Sequence, residues 1–291
     1  MGDAFGRSVA VGFFDGIHIG HQQLLSLADE ALTFLNHPLT VLAPDRAPKL
    51  LMTTDRRVAG IRGRVRGHVV RALEFTADLA ATEPEDFVRN VFLKSSAESV
   101  GRVICGCGWR FGKNGRGDAR LLRSMGVEVL EVPAMELAGD RVSSTRIRNA
   151  IAEGDVELAM TMLGRPYSVS GVAVAGKGEG TRMGFPTINV MPDCDILATG
   201  VYAVEVNGRI GVANYGCAPT FGKSAWKRSM LEVHVLDLHD HEFEFVDGDT
   251  EICFLRRVRS ERKFETVDDL RRQIAEDCRV VQDLIARKET V

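Results

Sequence analysis

An α/β domain built on a parallel sheet, followed by an antiparallel β-barrel or sandwich closed by a C-terminal helix, is the architecture this 291-residue chain predicts. Three observations carry it. Short apolar runs alternate with helical repeats through the first half, the pattern of strand–helix–strand units. After the glycine and proline of Leu163-Gly-Arg-Pro-Tyr167 the pattern changes to short alternating strands with turn-rich connections, which places a domain boundary between 163 and 164. A final apolar stripe at helical spacing then runs through Leu270, Ile274, Cys278, Val281 and Ile285.

Length and composition bound the function classes. A chain this long suggests about two domains, each able to bury a core. With 45% hydrophobic and 26% charged residues and a net charge of -3, it has no global reason to bind nucleic acid. No apolar run approaches the roughly 18 residues of a membrane span, and Met1 to Ser8 lacks the apolar region of a signal peptide. Six scattered cysteines do not form a disulfide framework, so a reducing cytoplasm is expected. Nothing in the sequence bears on oligomeric state.

Val9 to Val11 suit a buried parallel strand. Gly12 and Gly16 then allow a sharp turn, and Leu24, Ala28, Leu32 and Leu35 repeat at helical spacing. His18 and His21 therefore sit at a helix start, where free N–H groups and the positive dipole end attract phosphate and Gly20 permits close approach. Two imidazoles there can stabilise charge on a reacting polyphosphate. A zinc half-site is the competing reading of His-x-x-His, but the only other clustered ligands, Cys105 and Cys107, lack the usual Cys-x-x-Cys spacing.

Leu39 to Leu42 reads as a second strand, and Thr53 or Thr54 as the cap of a short helix beyond the loop holding Pro44 and Pro48. The basic stretch from Arg56 to Arg71 has the charge to contact RNA or an anionic substrate, but a solvated helix face is the favoured reading, because no aromatic residues interleave it to stack on bases. Thr82 is a cap candidate before a helix with Phe87, Val91 and Phe92 on its buried stripe. Arg102 to Cys105 and Val127 to Val132 are further strands, and ligands of such sheets bind beyond the strands' carboxyl ends. Ser143 or Ser144 caps a helix expected to run from Ile147 to Met162, and Thr145, Arg146 and Arg148 add donors suited to polyphosphate.

In the second half, strands are expected over Tyr167 to Ala175, Gly200 to Val206, Arg209 to Asn214, Met230 to Leu236 and Glu242 to Phe254. A helix capped by Thr266 follows over Val267 to Arg287. Gly176-Lys-Gly-Glu-Gly-Thr-Arg-Met-Gly-Phe-Pro-Thr-Ile-Asn189 is a glycine-rich loop entering a rigid Pro-Thr-x-Asn. Oxygens two residues apart on extended chain can share a hard cation such as Mg2+. Gly216 to Ser224 is not a Walker loop, since five residues separate its glycines and no helix follows.

The string Gly-x-Phe-Asp-x-x-His-x-Gly-His over Gly12 to His21, with Ser143-Ser-Thr-Arg-Ile-Arg148, resembles the two signatures of the nucleotidyltransferase superfamily. The Pro-Thr-x-Asn region, Ala218-Pro-Thr-Phe221, Leu231-Glu-Val-His234 and Arg259 to Phe264 resemble a riboflavin kinase. Together the halves are similar to the prokaryotic bifunctional riboflavin kinase/FAD synthetase family over nearly the whole chain. The resemblance implies a Rossmann-like FMN adenylyltransferase domain over 1–163 and a β-barrel riboflavin kinase domain over 164–291. It implies small-molecule partners: riboflavin, FMN and ATP with Mg2+ as substrates and cofactor, and FAD as product. By residue, it implies Glu232 as the base of the kinase and His18 and His21 as catalytic groups of adenylyl transfer. Gly12, Phe13, Asp15, Gly20, Ser144, Thr145, Arg148, Gly176, Gly184 and Pro186 would bind nucleotide, and Thr187 and Asn189 would hold the metal.

Three positions depart from the family pattern. Leu42-Ala-Pro-Asp-Arg46 stands where family members carry Phe-x-Pro-His-Pro after the second strand, so Asp45 replaces a histidine; Gly108 stands for Asn or Asp; Thr181 stands for Arg, with Arg182 beside it. These leave open a riboflavin kinase whose first domain is degenerate or regulatory.

Overall fold

The computed structural model describes residues 7–93, 100–174, 178–218, 228–236 and 249–288. The chain divides into two compact units, Met1–Ser144 and Thr145–Val291.

In the first unit, strands β1 (Arg7–Val11), β2 (Glu30–Phe34), β3 (Val69–Leu73), β4 (Val100–Gly106) and β5 (Glu128–Val132) form one parallel sheet in the order β3-β2-β1-β4-β5. Side chains alternate between two apolar layers. Val9, Val11, Leu32 and Val103 pack with Phe87, Val88, Phe92 and Leu122, while Ala10, Ala31 and Ile104 pack with Phe14, Leu25, Ile61 and Val65. Helices cover both faces, which is why these strands read as continuous apolar runs. The strand order reverses between β1 and β4, opening a crevice at their carboxyl ends.

Several local expectations give way here. The first helix, α1, is only Ile19–Ser26; Leu32 lies on β2 and Leu35 follows it. The helical spacing from Leu24 to Leu35 loses to the sheet, because Glu30–Phe34 pairs with β1 on one side and β3 on the other. Leu39–Leu42, expected as a strand, is a single helical turn, α2, and Leu42 is exposed. Helix α3 (Thr54–Arg62) is capped by Thr53 as expected, but its Arg57 is fully buried instead of solvated, and Arg71 belongs to β3. The Thr82 hydroxyl donates to the Asp78 carbonyl at the end of α4 (Ala77–Ala81), so Thr82 does not cap α5 (Pro84–Val91), whose start is set by Pro84 at the first helical position. Helix α6 (Ala119–Ser124) leads to β5, and the short hairpin β6 (Glu136–Leu137) with β7 (Asp140–Arg141) ends the unit.

From Ser144 two helices replace the one expected: α7 (Ser144–Glu153) and α8 (Val156–Leu163). Gly154 at φ 85° breaks them, and Asp155 caps α8 by accepting the Leu158 N–H. The second unit then closes a six-stranded antiparallel barrel in the order β10-β11-β12-β9-β8-β13. Its strands are β8 (Tyr167–Val174), β9 (Ile188–Pro192), β10 (Gly200–Val206), β11 (Arg209–Ala218), β12 (Arg228–Val235) and β13 (Asp249–Arg259). Strand β9, absent from the sequence reading, fills the place between β12 and β8. Residues 242–248 of the expected last strand lie outside the described residues, and β13 continues past Phe254 to Arg259. The glycine-rich loop holds one turn, α9 (Glu179–Arg182).

Helix α10 (Val267–Lys288) packs Cys278 and Val281 on Val201, Ala203 and Val212 of the barrel's outer face. Thr266 caps it, accepting the Asp269 N–H at 3.1 Å. Asp277 is buried and holds a fork from Arg259, with Nε and Nη2 at 2.9 and 2.7 Å.

Candidate active sites

The first site is the turn leaving β1. Gly12 has no room for a side chain, since a Cβ there would lie 2.9 Å from the Phe14 ring. Phe14, Gly16 and Ile17 all take left-handed backbone, at φ 60°, 76° and 47°. For a β-branched isoleucine this is strained, a condition that recurs where a turn must present groups to a ligand. The Phe13 carbonyl accepts from Arg57 at 2.8 Å and from the Thr33 hydroxyl at 3.2 Å. Asp15 is buried; its Oδ1 accepts the Leu51 N–H at 3.0 Å, and its carbonyl accepts the Ser144 hydroxyl at 2.9 Å. Asp15 and Ser144 thus tie together segments 129 positions apart.

His18 caps α1, its Nδ1 accepting the His21 N–H at 3.2 Å. That bond places the His18 proton on Nε2, which becomes a donor. The two imidazoles stack at 3.5 Å between centroids, 19° from parallel. Burial, and then the Arg141 guanidinium, push His18 down to about 4; burial, His18 and Arg141 hold His21 well below the ordinary histidine range. Both are neutral at physiological pH, so they offer hydrogen bonds and Arg141 is the nearby positive charge. Gly20 is where His18 needs space: an added Cβ would sit 3.3 Å from its ring. His21 Nδ1 is buried and has no hydrogen-bond partner among the described residues.

Sequence reasoning missed Arg141, which stands on β7 outside the recognised strings. It also misplaced a departure. Because β2 ends at Phe34, the segment after the second strand is Phe34-Leu-Asn-His-Pro38, which retains a Phe, a His and a Pro in the family spacing; Asp45 lies on an exposed turn beyond it. The His37 and Phe13 rings pack T-shaped, with centroids 4.7 Å apart. Gly108 remains a departure, exposed at φ 79° just past β4. Thr145 and Arg148 follow on α7, with Arg148 Nη2 donating to the Thr145 hydroxyl at 3.1 Å.

The second site is built on the barrel. In the β9–β12 pairing Asn189 stands opposite Glu232, and in the β11–β12 pairing Glu232 stands opposite Asn214. Directly opposed residues share a face, with Cβ atoms about 5 Å apart. Their neighbours Ile188, Val190, Leu231, Val233, Ala213 and Tyr215 are all buried on the other side, so this polar row lies on the outer face. Thr187 immediately precedes β9. The His234 ring holds that approach, with Nδ1 2.8 Å from the Pro186 carbonyl and Phe185 edge-on at 5.5 Å. Gly184 turns the chain at φ 87° before Pro186. Gly176 and Pro219 to Phe221 lie outside the described residues. Asn214 was not foreseen: it becomes visible only when the strand register is known. Thr181 and Arg182 are both exposed on α9.

Comparison with known proteins agrees with both halves. A family model described as FAD synthetase matches residues 3–146, and one described as riboflavin kinase matches residues 163–285. The bifunctional riboflavin kinase/FMN adenylyltransferase of Bacillus subtilis is 31% identical, covering 92% of this chain and 89% of that protein. That of Escherichia coli K12 is 32% identical over 94% and 90%. A crystal structure described as a macrolide-efflux protein from Streptococcus pneumoniae superposes with a TM-score of 0.81 at 28% identity, covering 97% and 95%. No helix among the described residues is long and apolar enough to cross a membrane. With both family models in order and this identity over nearly its full length, the chain belongs to the bifunctional riboflavin kinase/FMN adenylyltransferase family.

Proposed function

We propose that the barrel phosphorylates riboflavin with ATP to give FMN and ADP, and that the parallel-sheet domain joins FMN to AMP from a second ATP, giving FAD and pyrophosphate. Functionally we divide the chain into 1–163 and 164–291, assigning the Ser144 to Arg148 string to adenylyl transfer. The cross-strand placement of Glu232 beside Asn189 is the observation that carries the kinase assignment.

In the kinase step the terminal ribityl hydroxyl attacks the γ-phosphoryl group, and the Glu232 carboxylate takes its proton. Thr187 and Asn189 contribute only oxygen donors, a set suited to a hard cation. When bound, Mg2+ would neutralise phosphate charge there. Gly184 and Pro186, with Gly176 by the family pattern, would bind the nucleotide.

In adenylyl transfer an FMN phosphate oxygen forms a bond to the α-phosphorus of ATP while the bond to the β-phosphate bridging oxygen breaks. FMN phosphate is already anionic and needs no strong base. His18 donates from Nε2, His21 stacks behind it, and the N–H groups of α1 bind the remaining phosphate oxygens; Thr145 and Arg148 are assigned to nucleotide binding by the family string alone. Gly12, Phe13, Gly20, Asp15 and Ser144 hold the turn that presents them. The free thiols of Cys105, Cys107 and Cys278 suit a cytoplasmic enzyme.

The exposed, side-chain-free Gly108 favours one second reading, a riboflavin kinase with a weak adenylyltransferase. Separating flavins after incubation with riboflavin, ATP and magnesium, and again starting from FMN, decides between them. FAD from both incubations supports the two-step enzyme. FMN in the first and no FAD in the second leaves only the kinase.

A further inference from the structure

Arg57 is the largest fully buried side chain described in the first unit that carries a formal charge, at 0% exposure. Its Nη1 donates to the Phe13 carbonyl at 2.8 Å and to the Thr33 hydroxyl at 3.0 Å; its Nη2 donates to the Phe34 and Leu35 carbonyls at 2.8 and 3.1 Å. Its guanidinium carbon lies 4.1 Å from the centre of the Phe13 ring, which packs T-shaped with the His37 ring. One side chain from α3 therefore grips two segments: the turn leaving β1 and the chain leaving β2.

These acceptors sit at the carboxyl ends of the two strands, where a parallel sheet binds its ligand. An apolar side chain would fill the same space without the desolvation penalty of a buried guanidinium whose Nε has no partner among the described residues. What an apolar residue cannot do is fix three carbonyls and a hydroxyl at once. The rigid fork of arginine can, and a lysine, with a compact point charge, can satisfy only part of the set.

We infer that Arg57 is a positioning residue for adenylyl transfer, locking the Phe13 turn to the Phe34–Pro38 segment so that the His18–His21 stack and the first turn of α1 meet the nucleotide in register. Arg57 touches neither substrate; it acts through Phe13. The inference rests on the adenylyl-transfer reading of the first unit.

The test uses the full chain, with riboflavin phosphorylation as an internal control on the same molecule and rates normalised to folded protein well below the melting temperature. Arg57→Met should lower kcat/KM for ATP in FAD formation by about 100-fold, the scale of an ångström-sized misplacement, with riboflavin phosphorylation within about twofold of wild type. Arg57→Lys should recover part of that loss. Should Arg57→Met fail to fold, Thr33→Val removes one contact of the fork together with the hydroxyl's own bond to the Phe13 carbonyl, leaves the other three Arg57 contacts in place, and should cost about tenfold in the same activity. FAD formation in these variants that follows only the folded fraction, or a parallel fall in both activities, overturns the positioning role. A wild-type chain that makes no FAD from FMN overturns the reading of the domain and the inference with it.

Discussion

Asn189 and Glu232 stand directly opposite each other across the antiparallel pairing of β9 with β12, on the outer face of the barrel. An amide oxygen suited to a cation and a carboxylate suited to a proton are thereby held side by side by backbone hydrogen bonds, from strands more than forty residues apart in sequence. Thr187 enters the same neighbourhood one residue before β9, and Asn214 extends the row on β11.

Glu232 is exposed, so replacing it should affect chemistry more than stability. Glu232→Gln should reduce FMN formation by about 100-fold or more, the usual contribution of a positioned base, and shift the melting temperature little. FAD formation from supplied FMN should persist. His21→Ala should do the reverse. Equal loss of both activities in either variant would contradict the two-site assignment.

His18 makes the first unit's stability depend on pH. Its folded value is depressed from 6.5 to about 4, so the unfolded chain binds the proton more readily and takes one up on unfolding between those limits. The stabilisation is complete above about pH 6.5 and is lost as pH falls toward 4, up to ~3 kcal/mol in full. His21 acts in the same direction. Urea unfolding of wild type and His18→Asn, which retains a helix-capping side chain, should show wild type losing ~2 kcal/mol more between pH 7.5 and 5. Parallel losses would rule this out.

Gly180 is crowded by the Phe185 carbonyl and by the Thr187 hydroxyl, 2.9 Å from where a Cβ would stand. Gly180→Ala must displace one of them. We expect KM for ATP in riboflavin phosphorylation to rise while FAD formation from FMN is unchanged; an unaltered kinase would show that Thr187 does not need its present place.

Asp277 is 4% exposed at its side chain and accepts the Arg259 fork together with Gln273 Nε2 at 2.7 Å. Asp277→Ala leaves a guanidinium without its counter-charge and should cost about 3 kcal/mol. On heating, the variant should lose riboflavin phosphorylation at a lower temperature than FAD formation. Simultaneous loss would show that the clasp is not confined to the barrel and α10.

Gly108 tests the remaining departure in the first unit. Its φ of 79° is open to asparagine, and an added Cβ would meet no atom within 4 Å. Gly108→Asn should fold normally and raise kcat/KM for FMN adenylylation several-fold. No gain would mean that a side chain there makes no contact with substrate.

What the sequence determined by itself was local. The Val9–Val11 run before Gly12, the capped helix α10, the glycine and proline that end α8, and the strings at Gly12–His21 and Pro186–Asn189 are each written in neighbouring residues, so propensity, capping and spacing are enough to read them. Pairing and burial are not local. Leu24 to Leu35 satisfies a helical period, and only the two strands flanking Glu30–Phe34 turn part of it into β2. Arg57 looks like one arginine of a solvated run until four acceptors from two strand ends enclose it. Glu232 looks like an ordinary exposed strand residue until the register sets it between Asn189 and Asn214, because a shift of one residue would send each of these side chains to the opposite face.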